Sequence, residues 1–157
     1  CRRRMTFRRG VRLGIDPGTV RIGVARCDPD GILATPLAPI ARGPGDLAAI
    51  AAVAVECDAF EIIVGLPLTL KGSRGPAAAA ALEFAEALAE CVAQIPVRMV
   101  DERLSTAAAQ RTLHLAGRDT RTSRSVIDGA AATLIVQSAV DYEKRSGAPA
   151  GRMVETR

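Results

Sequence analysis

The 157-residue chain has no tryptophan, one tyrosine and three phenylalanines, so aromatic side chains make up only 3% of it. Apolar residues still reach 48%, enough for a core, but that core must be built from alanine, valine, leucine and isoleucine. With so few rings for stacking, low sequence specificity toward any nucleic acid is expected. Lysine is nearly missing too. Only Lys71 and Lys144 occur, and the other basic residues are arginine. The planar arginine fork suits phosphate oxygens. With a net charge of +4, the balance leans toward a polyanionic partner, although arginine-rich codon usage would give the same count.

Other absences narrow the chemistry. The one histidine, His114, falls in a predicted helix and reads as structural or surface, not as a base. The cysteines, Cys1, Cys27, Cys57 and Cys91, are far apart and form no CxxC, which argues against a structural zinc site. They read as reduced thiols, with an intermolecular disulfide left open for an exposed one. No apolar run approaches bilayer length. The arginine-rich start is not followed by the apolar stretch of a signal peptide. A cytoplasmic protein with no membrane association is expected.

The hydropathy pattern predicts an antiparallel meander followed by strand–helix alternation. "VRLGIDPG" and "RIGVARCD" read as two strands joined by a short turn. "DPDG" (28–31) is a turn, with Pro29 fixing φ and Gly31 free to take a positive one. "ILATPLAPIA" reads as a third strand at a sheet edge, where Pro36 and Pro39 do little harm. "DLAAIAAVAVECD" follows as a helix with Asp46 as N-cap. Then come the strand "EIIVGLP", a helix with Pro76 at its first position, and the strand "VRMVDER". A helix from Ser105 or Thr106 to Gly117 precedes the last helix, "SVIDGAAATLIVQSAVDYEKR". The expected fold is α/β: a five-stranded mixed sheet with helices on both faces. Residues 1–10 read as a basic flexible arm, 11–146 as one domain and 147–157 as a disordered tail.

Sites in such sheets lie beyond the carboxyl ends of the parallel strands. Two acids fall there, Asp16 and Glu102. A third, Asp128, shares a helix face with positions 132, 135 and 139. Each has a plain alternative. Asp16 before Pro-Gly suits an Asx-turn. Asp101 and Glu102 could pair with Arg103 on the surface. "SVID" has the spacing of a capping box. Their agreement in location carries the argument: three carboxylates at one rim would hold Mg²⁺ or Mn²⁺. Lys71, Ser73 and Arg74 in one loop, and Arg118, Arg121 and Arg124 before the last helix, are candidate phosphate contacts; solvated loop charge is the alternative.

"GIDPGTVRIGVA", "IIVGLPLTLKGSRGPAA", "VDERLSTAAAQ" and "SVIDGAAATLIVQ", in this order, resemble the YqgF family. Its members are described as RuvX-like Holliday junction resolvases or as pre-16S rRNA nucleases. The resemblance spans about residues 11 to 142. It implies an RNase H-like fold, a divalent-metal nuclease site, and a role in ribosomal RNA maturation or in recombination and repair. By motif, Asp16 matches the first-strand aspartate, Glu102 the acid of "DER", and Asp128 the acid of the last helix. Asp101 would face the other side of the strand. Ser105 stands where a second threonine is expected, a mild departure. The implied partners are structured RNA or branched DNA, a ribosomal precursor particle, and a second copy of the chain if a symmetric junction is the substrate. Two rival readings stay open. One is a non-catalytic nucleic-acid or ribosome-binding module of the same fold. The other is a relative of actin-like ATPases, which "GIDPGT" also resembles, although this chain would hold only one lobe.

Overall fold

The computed structural model describes residues 7–67, 75–102 and 122–155, with side chains of the last helix described from Gly129 onward. The chain opens with an antiparallel pair, β1 (Val11–Pro17) and β2 (Arg21–Cys27), in which Asp16 lies opposite Gly23. Their turn requires glycine at position 18, because a Cβ there would run into the carbonyl oxygen of Arg21. The expected turn after β2 is present. The Asp28 carboxylate accepts backbone N–H groups from Asp30, Ile32 and Leu33 at 3.1, 2.8 and 2.6 Å, and Gly31 has φ +66°.

The expected third strand is instead two short pieces, β3 (Ala34–Pro36) and β4 (Ile40–Ala41), both paired with β2. Pro36 and Pro39 lack the N–H donors that a continuous ladder needs. Helix α1 (Asp46–Glu56) also differs in detail from its expectation. Its N-cap is Gly45, at φ 86°, and Asp46 is the first helical residue. The Asp46 carboxylate accepts the Gly43 N–H at 3.1 Å and the Leu47 N–H at 2.7 Å, so it closes the entry turn from inside the helix. Strand β5 (Ala59–Leu66), helix α2 (Pro76–Cys91) and strand β6 (Val97–Asp101) follow, with Pro76 opening α2 as expected. The helix expected from Ser105 or Thr106 to Gly117 lies outside the described residues.

The last helix, α3 (Thr122–Ser146), begins before the "SVID" stretch. Beyond it the chain turns at Gly147 and Gly151, both at positive φ, and adds the short strand β7 (Arg152–Met153) antiparallel to β6. The sheet order is β3-β2-β1-β5-β6-β7, with β4 also on β2. β1, β5 and β6 run parallel at its centre. Among the described residues the added short strands make seven where five were expected, on the same plan.

Side chains alternate across this sheet and build two cores. Leu13, Ile15, Ile22, Val24, Ile62 and Val64 pack against α1 and α2, around Ile50, Phe84 and Leu88. Ala25, Cys27, Ile63 and Val100 pack against α3, around Ala132, Ile135, Val136 and Val140. Small residues bring α3 close. A Cβ on Gly14 would stand 2.7 Å from the Ala132 carbonyl oxygen, and one on Gly129 would stand 3.1 Å from Pro36 Cβ. Cys27 is buried and free, Cys57 is partly exposed and Cys91 is exposed. Burial pushes the Cys27 thiol pKa up. No helix among the described residues is long and apolar enough to cross a membrane.

Candidate active site

Three central strands present a graded row to α3. On β1 the alternating residues are Arg12, Gly14 and Asp16. On β5 they are Glu61, Ile63 and Gly65. On β6 they are Arg98 and Val100, with Glu102 next beyond the strand end. Charge pairs fill the amino ends of the strands, small and apolar residues fill the middle, and acids occupy the carboxyl ends.

Asp16 and Glu102 are each 5% exposed. Both line one cleft of about 520 Å³, together with Pro17, Gly18, Thr19, Arg42, Pro67, Ala77, Ala80 and Ala81. Gly65 makes room between them. A Cβ there would lie 3.0 Å from Glu102 Oε1 and 2.6 Å from Ile135 Cδ1. The Glu102 carboxylate therefore reaches back over β5 through the space that glycine leaves. A buried carboxylate is costly unless it is bonded or coordinates a metal, and both acids have interaction partners in the fold.

Asp128 is the seventh residue of α3, whose first turn contains no acid. The capping-box reading of "SVID" therefore does not hold, because the helix starts three residues before Ser125. Its direction is fixed by contacts. Glu143 bonds Arg12 near the start of β1, and Ala132 and Val136 abut Gly14 in its middle. Position 128 stands one helical turn before Ala132, toward the end of β1 that carries Asp16. The Asp128 side chain lies outside the described set. Among the described residues no group of three or more His, Cys, Asp or Glu side chains is placed to share an ion.

Of the candidate phosphate contacts, Lys71, Ser73, Arg74, Arg118 and Arg121 lie outside the described residues, as does His114. Arg124 is in α3, with its side chain likewise outside. Asp101 ends β6 opposite Leu66, half-buried, one residue out of phase with the row that carries Glu102.

Two features escape a linear reading of the sequence. Arg42 lines the cleft, yet it follows an edge strand in a stretch with no motif. The second is a buried ion network at the opposite ends of the strands. Arg12 Nη2 donates to Glu143 Oε2 at 2.5 Å, Arg8 Nη1 to Glu61 Oε2 at 3.0 Å, and Arg98 Nε to the same Glu61 oxygen at 2.9 Å. Burial draws the Arg12 pKa down against the pull of Glu143 and Glu61. Arg8 also loses solvent, but its bonds to the same two acids raise its pKa. The signal, in retrospect, is charged residues at alternate positions inside otherwise apolar strands.

The comparisons with known proteins agree with this architecture. A family model described as "RuvX: Holliday junction resolvase" matches residues 10–142. A protein of Thermobifida fusca (strain YX), named "Putative pre-16S rRNA nuclease", is 54% identical over 158 residues, covering 95% of this chain and 98% of that protein. One of the same name from Streptomyces coelicolor is 47% identical over 151 residues, covering 95% and 90%. Among solved structures, "T. thermophilus RuvC in complex with Holliday junction substrate" superposes with a TM-score of 0.59 at 17% identity, covering 89% of this chain and 98% of that one. At that identity the likeness is one of fold, and it is the RNase H-like fold expected from the sequence.

Proposed function

Because the chain belongs to the RuvX family of Holliday junction resolvases, we propose that the cleft holding Asp16 and Glu102 is the active site of a divalent-metal-dependent nuclease. Its relatives are named nucleases, and the chain is an enzyme of that class. The observation that carries the assignment of the site is the pair of buried carboxylates, delivered by two different parallel strands to one cleft.

The donor set suits a hard cation, since oxygen ligands from acids favour Mg²⁺ or Mn²⁺ over softer metals. Asp16 and Glu102 would hold it, with Asp128 as the third acid. Bound there, such an ion would supply activation of water and stabilisation of the leaving oxygen in phosphodiester hydrolysis. The chain's own part is positional. β1 and β6 fix the two carboxylates, Gly65 admits the second, and no side chain need act as nucleophile. Lys71, Ser73, Arg74, Arg118, Arg121 and Arg124 would grip the flanking backbone. With so few aromatics, selection rests on the shape of the nucleic acid.

The substrate we favour is the precursor end of small-subunit ribosomal RNA, on the names of the relatives most similar in sequence. That role would put the enzyme in the cytoplasm, at a ribosomal precursor. The family description supports a second substrate, a four-way DNA junction, whose symmetry would require two copies of the chain. The deciding experiment is cleavage with Mg²⁺ or Mn²⁺ of precursor RNA, a synthetic four-way junction and linear duplex, by wild type and Asp16→Asn. The expected result is cleavage by wild type and a loss of more than about 100-fold in the variant, beyond the scale of disturbing a metal's surroundings, with the fold kept. Tight binding without cleavage of any substrate would make the chain a non-catalytic binding module. An unfolded Asp16→Asn would make Asp16 a turn residue.

A further inference from the structure

The cleft confronts a polyanion with two carboxylates, and among the described residues that line it only one is basic, Arg42. Its guanidinium is fixed from three sides. Nη1 donates to the Gly18 carbonyl oxygen at 3.1 Å. Nε lies 3.5 Å from Asp46 Oδ2. The Cζ atom stands 4.7 Å from the centre of the Phe84 ring. Its backbone N–H donates to Val20 O at 2.9 Å, which ties the residue to the β1–β2 turn beside Asp16. The side chain is nevertheless 35% exposed, and its Nη2 group donates to no described residue.

These contacts describe a cation held in place with donor capacity left over. A guanidinium whose orientation is already fixed gives up little entropy when it binds an oxyanion. We infer that Arg42 binds a backbone phosphate of the nucleic-acid substrate and so sets where the strand lies in the cleft. The inference rests on the nuclease reading of that cleft. It assigns Arg42 to contact with the substrate; the role of anchoring the turn falls to Asp46 of α1 and Phe84 of α2 acting on the same side chain.

The test separates contact from anchoring. Binding of a four-way junction and of precursor RNA is measured in EDTA across a salt series, for wild type, Arg42→Gln and Asp46→Asn. Losing Arg42 should weaken binding about tenfold, the scale of one charge-assisted hydrogen bond. It should also flatten the log–log salt slope by about 0.7–0.9, one phosphate contact. Asp46→Asn removes the ion pair but not the cation, so it should keep the slope. Should Arg42→Gln fail to fold, Arg42→Met keeps the stem over Phe84 and carries the same expectation. An unchanged slope without the arginine, or an equal loss in Asp46→Asn, overturns the inference. Because no metal is present, the result stands apart from cleavage. Failure of wild type to cleave would sink the nuclease reading, while the salt slope judges Arg42 alone.

Discussion

At the scale of single residues, the site depends as much on an absence as on the acids. Gly65 has no conformational reason to be glycine that the backbone shows; its reason is space. Any side chain there meets Glu102 on one side and Ile135 on the other. The overlap is sharpest with the tip of Ile135, and the Glu102 carboxylate is pressed at the same time, so both must yield and the carboxylate shifts by some tenths of an ångström. Gly65→Ala should therefore cost stability modestly, about 1–3 kcal/mol for overpacking. Its effect on cleavage should be larger, about tenfold, because about 1 Å of misplacement at a reacting centre costs about 100-fold and even part of that is felt. Parallel urea titrations and cleavage rates check this. A rate that falls only as far as the folded fraction does would show that Glu102 has not moved. The same reasoning explains why a sequence reader finds Asp16 easily and Gly65 not at all. An acid between an apolar strand and Pro-Gly announces itself locally, whereas the use of a glycine is visible only once β6 lies beside β5.

At the scale of elements, the expectations that held rest on local chemistry, and those that failed rest on partners. β1, β2, β5 and β6 were legible because each is a compact branched run. The start of α2 was legible because proline fits a helix's first turn. The third strand reads as continuous because its composition is apolar. Its two prolines decide the matter only against the N–H groups that β2 demands. Asp46 reads as the N-cap from its residue type, yet Gly45, which takes the left-handed conformation, performs the cap and the helix starts one residue sooner. At Asp128 it is the plain alternative that fails. Once α3 starts at Thr122, the capping role that competed for it is gone. The turn after β2 is the clearest local success, and it yields a pH prediction. Backbone N–H bonds, from Leu33 first and also from Ile32 and Asp30, hold the Asp28 pKa below the usual carboxylate range. A carboxylate with a depressed folded-state pKa lends stability that is fully present above its unfolded pKa and is lost as pH falls through the folded one. Asp28→Ala should thus lower Tm at neutral pH. The gap from wild type should narrow steadily below the ordinary carboxylate range. A gap that is constant with pH would mean the turn depends on shape and not on the charge.

At the scale of the whole molecule, the two ends of the parallel strands are opposites. The carboxyl ends hold acids in an open cleft, and the amino ends hold three arginines and two glutamates in a network whose centre is buried. Arg12, Glu61 and Glu143 are 1%, 1% and 3% exposed. They join β1, β5 and α3, Arg98 adds β6, and Arg8 adds the segment before β1. The residues immediately before β1 are thus not all a loose arm: Arg8 is clamped by both glutamates, and Phe7 stacks with its ring centre 4.7 Å from the Arg12 guanidinium. Through Glu143 the network ties α3 to the amino ends of the strands, and position 128 lies at the other end of that helix. Burying such charges is expensive, and removing one partner strands the others without water. Glu143→Ala leaves Arg12 and Arg8 facing a single carboxylate, so it should lower the unfolding free energy by about 3–5 kcal/mol. Arg9→Ala breaks an ion pair to Asp30 whose side chains are 71% and 56% exposed, and should cost less than about 1 kcal/mol. Chemical denaturation of the two variants beside wild type makes the comparison. If both losses were small and equal, the network would be no more than surface charge, and the alignment of α3 over the cleft would have to come from the apolar packing of Ala132, Ile135 and Val136 alone.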